Sequence, residues 1–374
     1  MKDKIARRMH TSVLVILIVP SFLFAQQTNL DCKLVDIGVV RQTLTNMATF
    51  SAGWTDCIFY YPFTQNIDWD NLWSDVHPVA QPGWSEYPKG SNCIYGDFAP
   101  WIGAKVGTTV RVTTGGPCDM DPWPAEHLVY ELYPTSEPWD TIWVVNRGQT
   151  VDIPYWPNYT GISDQDFVCR FNDYTVLNLT NHVPMDIDVI QVTYSWISLE
   201  FLVHQYWIIP RQSDLKDVYF GYYGKICCGC ASTAQMGTAI ADEYGWYDEQ
   251  RNVGFEEDLP GHGDDDCVSG PIAFKIIPDI SESSLQWTWY DGLPGRAHPN
   301  TDPGKYQWMT QGINHVPIQQ GDGNFIYSAG PFQLPLGDTL HLTVGQIYGK
   351  GLEGVYKNLD RLFELRERDY RLPQ

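Results

Sequence analysis

The alternation of apolar and polar residues over 189–196 constrains the fold of this chain more than any other feature. Ile190, Val192, Tyr194 and Trp196 share one face of an extended segment, while Val189, Gln191, Thr193 and Ser195 take the other. This is the period of a β-strand with one side on a core. After a short turn, 199–209 is apolar on nearly both faces, with Glu200 and His204 as its polar exceptions. A strand of that kind has to be covered on each side. Further strands are expected at 58–63, 108–113, 128–133, 141–145, 167–174, 216–223, 272–277, 285–290 and 340–344. Only 352–368 carries helical spacing, through Val355, Leu359, Leu362 and Phe363, with Glu364 and Arg368 one turn apart. A run of strands closed by one helix predicts an all-β fold: a large antiparallel β-sandwich, jelly-roll-like or built of two packed sandwiches, with one C-terminal α-helix. Four long stretches, 68–90, 115–126, 227–267 and 292–323, read as irregular.

Lys2, Lys4, Arg7 and Arg8 precede a short apolar core at 13–19 and 22–24, and Ala25 offers a small residue for cleavage before Gln26. Residues 1–25 therefore read as a signal peptide, too short and too interrupted at Pro20 to span a bilayer. The expected organisation is a signal at 1–25, a sandwich region at 26–350 as one large or two closely packed domains, and a helix at 351–374 packed on it. The whole chain has 24 basic and 45 acidic residues; less the four and one in the signal, 20 and 44 remain, a net charge of −24. That field repels phosphate backbones and anionic membranes, so nucleic acid is not expected as a partner, and no segment after residue 25 is apolar enough to span a membrane. The location expected is secreted or at the cell surface.

All nine cysteines follow the signal: Cys32, Cys57, Cys93, Cys118, Cys169, Cys227, Cys228, Cys230 and Cys267. In an oxidising compartment they are all disulfide candidates, and the odd count leaves at least one thiol over. The run Cys227–Cys228–Gly229–Cys230 lacks the paired spacing of a zinc ribbon, and bridges across its loop explain it more simply. Asp264, Asp265 and Asp266 form the candidate metal cluster, with Asp164, Asp166, Asp186 and Asp188 as further oxygen donors. No cofactor is called for; calcium is the ion such carboxylates would take, although none of the clusters has the twelve-residue calcium loop, and solvated loop carboxylates explain them equally.

Glycoside hydrolysis needs two facing carboxyl groups, and Glu200 is the first candidate, without a second acid that the sequence pairs with it. No metalloprotease helix, nucleophile elbow or phosphate loop occurs. The chain holds 15 Trp and 22 Tyr. Trp69, Trp73, Trp84, Trp123, Trp139 and Trp156 fall in or beside loops, where they either stack on sugar rings as a ligand-binding platform or staple the core edges.

Several segments resemble a family of exported bacterial β-sandwich proteins of unknown function, often followed by fibronectin-like or secretion-sorting modules. The segments are Glu86-Tyr87-Pro88-Lys89-Gly90-Ser91, Trp101-Ile102-Gly103-Ala104-Lys105-Val106, Ile162-Ser163-Asp164-Gln165-Asp166 and Gly330-Pro331-Phe332 with Gly337-Asp338. The resemblance implies a secreted or surface-displayed sandwich and carries no catalytic residues; the triple-cysteine run departs from it. The function expected is a non-enzymatic interaction or structural module on a surface protein or glycan. The alternative is a carbohydrate-binding or carbohydrate-active protein that uses loop tryptophans.

Overall fold

The computed structural model describes residues 31–48, 50, 85–89, 94–115, 131–175, 182–228, 243–258, 270–291, 299, 301–314 and 323–372. The expected strand at 58–63, the signal peptide and most of the stretch 68–90 lie outside them, as does 128–130 of the strand expected there. Short β1 (Cys32–Val35) and β2 (Gln42–Thr45) pair with each other. A six-stranded sheet contains β3 (Ile94–Val106), β4 (Thr109–Thr114), β11 (Leu215–Cys228), β15 (Gln286–Asp291), β16 (Ile313–Asn314) and β17 (Gly323–Leu334), in the order β16-β15-β17-β11-β3-β4. The eight-stranded sheet adds β5 (Trp143–Asn146), β8 (Gln165–Asn172), β9 (Ile187–Ser195), β10 (Phe201–Pro210), β12 (Glu243–Asp248), β13 (Val253–Asp258), β14 (Ile272–Pro278) and β18 (Leu340–Ile347), in the order β12-β13-β14-β18-β10-β9-β8-β5. Its pairings are all antiparallel, and in the other sheet only β15 with β16 runs parallel.

The main core lies between the sheets. Phe98, Phe220, Tyr222 and Phe325 from one meet Tyr206, Ile208, Phe274 and Leu342 from the other. Ring pairs cross the gap, Phe98 to Phe274 at 5.4 Å and Tyr206 to Phe220 at 5.2 Å between centroids. As the alternation predicts, Val192, Tyr194 and Trp196 share the outer face of the eight-stranded sheet, where Phe201 and Val203 of the doubly apolar β10 join them. That outer face is covered by helix α2 (Gly351–Arg366), through Val355, Leu359, Leu362 and Leu365, and by the hairpin of β6 (Thr150–Ile153) and β7 (Trp156–Thr160), through Ile153 and Tyr159. β10 is thus buried on both sides, which is why its sequence is apolar on both.

Two irregular stretches prove ordered in part. Cys227 and Cys228 end β11, and β12 with β13 forms a hairpin within 227–267, pinned by the stacked rings of Trp246 and Phe255 at 3.8 Å. Within 292–323, α1 (Asp302–Thr310) is a second helix on the outer face of the six-stranded sheet, where Met309 packs with Trp101, Tyr223 and Ile326. Only Lys305 and Met309 of α1 are buried, so it shows no apolar stripe. Its start signal is nevertheless in the sequence: the Thr301 side chain caps Gly304 N and Pro303 sits in the first turn.

Candidate functional site

Paired residues of neighbouring strands line up in rows across the outer face of the eight-stranded sheet. The row through Arg170, Ile190, Trp207 and His341 is fixed by the registers of β8, β9, β10 and β18. The rows toward the Tyr194 end are sealed by α2 and the β6–β7 hairpin, but here Ile190, Trp207 and His341 are only half-buried. The His341 ring stacks on Trp207 at 4.5 Å and 17°, and Trp156 of β7 meets Trp207 edge-on at 4.8 Å and 83°. Trp156 is itself half-buried and braced by Tyr159 at 5.1 Å. Together they make a rigid aromatic strip whose rings are held by packing rather than by ligand.

Polar groups close both ends. At one, His341 Nδ1 lies 2.5 Å from Asp279 Oδ2, and Arg366 sits 3.9 Å from the other Asp279 oxygen while donating to the Pro278 carbonyl at 3.1 Å. At the other, Arg170 donates to both oxygens of the buried Asp140 at 3.0 and 2.9 Å, its guanidinium 5.1 Å above the Tyr155 ring. In the adjoining row Asp188 accepts from Tyr174 OH at 2.6 Å and pairs with Arg211 at 3.4 Å. Burial first, and then the hydrogen bond to Asp188, pushes the Tyr174 hydroxyl well above its ordinary range, so it stays a donor.

A second cluster lies at the start of α1. Glu131 Oε1 takes Lys305 Nζ at 3.0 Å and faces His182 Nδ1 at 3.4 Å, while Oε2 accepts from Thr114 N at 2.8 Å and Thr114 Oγ1 at 3.1 Å. His182 Nε2 lies 2.9 Å from the Asp173 carbonyl, which can only accept, so that nitrogen carries a proton. Nδ1 then faces a carboxylate, a position that favours the imidazolium. Burial opposes charging both groups, but the Glu131 contact raises His182, and His182 with Lys305 holds Glu131 below its usual range. The Lys305, Glu131 and His182 side chains are 3%, 4% and 1% exposed, so the cluster anchors α1 rather than meeting a ligand.

Of the tryptophans expected in a platform, the structure brings Trp156 to the strip. Trp139 is half-buried elsewhere, its carbonyl accepting from Trp143 Nε1 at 3.0 Å. Trp69, Trp73, Trp84 and Trp123 lie outside the described residues, as do Asp264, Asp265 and Asp266. Among the described residues no three His, Cys, Asp or Glu side chains are grouped to hold a metal. Asp166 is committed to structure: its oxygens accept from Ile162 N at 2.7 Å, Ser163 N at 2.8 Å and Tyr159 OH at 2.6 Å. Glu200 precedes β10 and accepts from Asn358 Nδ2 at 2.8 Å, a tie to α2.

Cys169 is a correction to the disulfide candidates. It is a free, buried thiol facing the core beside Phe167 and Phe171, and burial pushes its pKa up, which keeps it an inert apolar group. Cys32 is disulfide-bonded. Cys57, Cys93, Cys118, Cys230 and Cys267 lie outside the described residues, as do the side chains of Cys227 and Cys228. Trp207, His341 and Asp279 are the site residues that sequence reasoning missed. The one signal was Trp207 itself, a large amphipathic ring near the end of a strand otherwise filled with aliphatic and smaller groups.

No family model matches the chain, and no curated protein matches it. Among solved structures it is similar to a bacterial glucoamylase complexed with acarbose, at 8% identity and a TM-score of 0.42, over 92% of this chain and 39% of that one. It is also similar to the heparan sulfate lyase HepC from Pedobacter heparinus, at 8% identity and a TM-score of 0.26, over 51% of this chain and 21% of that one. Likeness at that level assigns this chain no substrate.

Proposed function

We propose that this chain is an exported, non-enzymatic carbohydrate-binding sandwich whose ligand stacks on the Trp156–Trp207–His341 strip. The observation that carries the reading is the half-buried Trp207 ring, held between a stacked His341 and an edge-on Trp156 at the surface of the sheet. An apolar strip bordered by hydrogen-bonding groups matches a pyranose, which has an apolar C–H face and a rim of hydroxyls. Rings already fixed by packing lose little entropy when a ligand lands on them. Asp279, Arg366 and Tyr174 supply acceptor and donor groups at the rim. The export reading rests on residues 1–25, and binding is favoured because the strip itself is built of packed rings and paired charges.

The test is retention of the secreted protein on a glycan array, with Trp207→Ala and Trp156→Ala alongside. Retention that both substitutions weaken supports the reading. An array on which nothing is retained, or retention indifferent to both substitutions, overturns it. Release of reducing ends from a retained glycan would replace the binding module with an enzyme.

A further inference from the structure

The net charge of the chain is −21, and its acidic residues outnumber its basic ones by 45 to 24. Against that background the aromatic strip is close to electroneutral, and each charge there has its partner. Arg170 is taken up by Asp140 in a two-pronged contact, with Asp140 itself fully buried. Arg211 faces Asp188, and Arg366 with His341 faces Asp279. Three guanidinium groups thus meet three carboxylates.

Pairing of this kind decides what the strip can hold. A carboxylate or sulfate on a sugar would have to draw Arg170 away from Asp140, leaving a carboxylate buried without its partner, which is heavily penalised. Arg366 and Arg211 are more exposed, at 38% and 55% of their side chains, but each stands beside a carboxylate that offsets its attraction for an anion. The acidic protein as a whole repels a polyanion further. Hydroxyl groups, in contrast, can donate to Asp279 and accept from Arg366 without breaking either pair.

Resting on the carbohydrate-binding reading, we infer that the strip selects uncharged over anionic glycans, through apolar contact with Trp156, Trp207 and His341 and hydroxyl contacts to the Asp279–Arg366 pair, and discriminates against uronate and sulfated sugars. Selectivity here comes from charges satisfied in advance, so unmatched ligand charge finds no counter-charge.

The experiment measures affinity of the full secreted chain for three polymers: a neutral β-glucan, polygalacturonate and heparin, each at low and at physiological salt, with Trp207→Ala as control. The expected result is binding to the neutral polymer alone, changing less than about twofold with salt because no ion pairs form. Trp207→Ala should weaken it about 30-fold, the loss typical of a central aromatic anchor. Binding of polygalacturonate or heparin that is lost in Trp207→Ala would overturn the neutral selectivity while leaving the strip as the binding site. No binding to any of the three, or binding indifferent to Trp207, would overturn the strip as a binding site and the selectivity with it.

Discussion

The two outer faces of the sandwich carry similar charged groups in opposite settings. Under α1, Glu131, Lys305 and His182 are sealed at 1–4% side-chain exposure, and their charges are answered by one another and by neighbouring protein groups rather than by water. On the other face, Asp279 and Arg366 stand at the rim of the aromatic strip with 55% and 38% of their side chains in water. A buried ion pair is strongly coupled to folding because removing one member strands the other, whereas an exposed pair is nearly interchangeable with water. The first therefore governs stability and its pH dependence, and the second is free to govern recognition.

The largest expected effect comes from breaking the sealed pair. Lys305→Met should cost about 3–5 kcal/mol in urea denaturation, while Arg366→Met should cost less than about 1 kcal/mol. Equal losses for the two would erase the distinction between the faces.

The pH limbs sharpen the comparison further. His204 is buried among neutral groups, with Thr193 Oγ1 at 2.9 Å and Gln346 Oε1 at 3.3 Å, and burial lowers its pKa to about 4. The unfolded chain thus binds the proton first, so stability present above about pH 6.5 falls as pH drops toward about 4, by roughly 3 kcal/mol. His204→Gln should flatten that limb in denaturation midpoints measured across the range. His182 has the opposite sign. Its pKa is raised, the folded chain binds the extra proton, and the contribution is full below about pH 6.5 and lost as pH rises through the folded value. His182→Gln should remove that alkaline decline; an unchanged slope would show that His182 is neutral at its site.

The smallest effect on folding and the clearest on recognition falls on Trp156. Its ring is half-buried at the end of a hairpin, so Trp156→Ala should leave the urea midpoint close to wild type while weakening glycan retention about tenfold, measured on the same preparation. A matching fall in both would make Trp156 a staple of the hairpin and not part of a binding surface.

Much of this architecture is legible before any coordinates. The alternation at Ile190, Val192 and Tyr194, and the doubly apolar run into β10, identify the centre of the eight-stranded sheet and its two coverings. The stripe Val355, Leu359, Leu362 identifies α2. β12 and β13 were hidden because their alternation is diluted by acids and glycines within a cysteine-bounded stretch, and α1 because it buries a lysine where a stripe would show a leucine. Of the strip, Trp156 was visible as a tryptophan beside a turn. Trp207 was not, since a ring on a core-like strand looks the same whether its row is sealed or open.

Local pattern, then, determined what each segment must do with its apolar side: the period of 2 for strands and 3.6 for helix are properties of the backbone that no partner alters. Which rows of the sheet are covered, and which charges share a desolvated space, were decided only by tertiary structure. Those depend on register between strands far apart in sequence, such as Trp207 opposite His341, and on where α2 and the β6–β7 hairpin stop short of the edge. Periodicity fixes the face a residue points to; the neighbours waiting on that face are set by other chain segments, some of them more than a hundred residues away, as His341 is from Trp207.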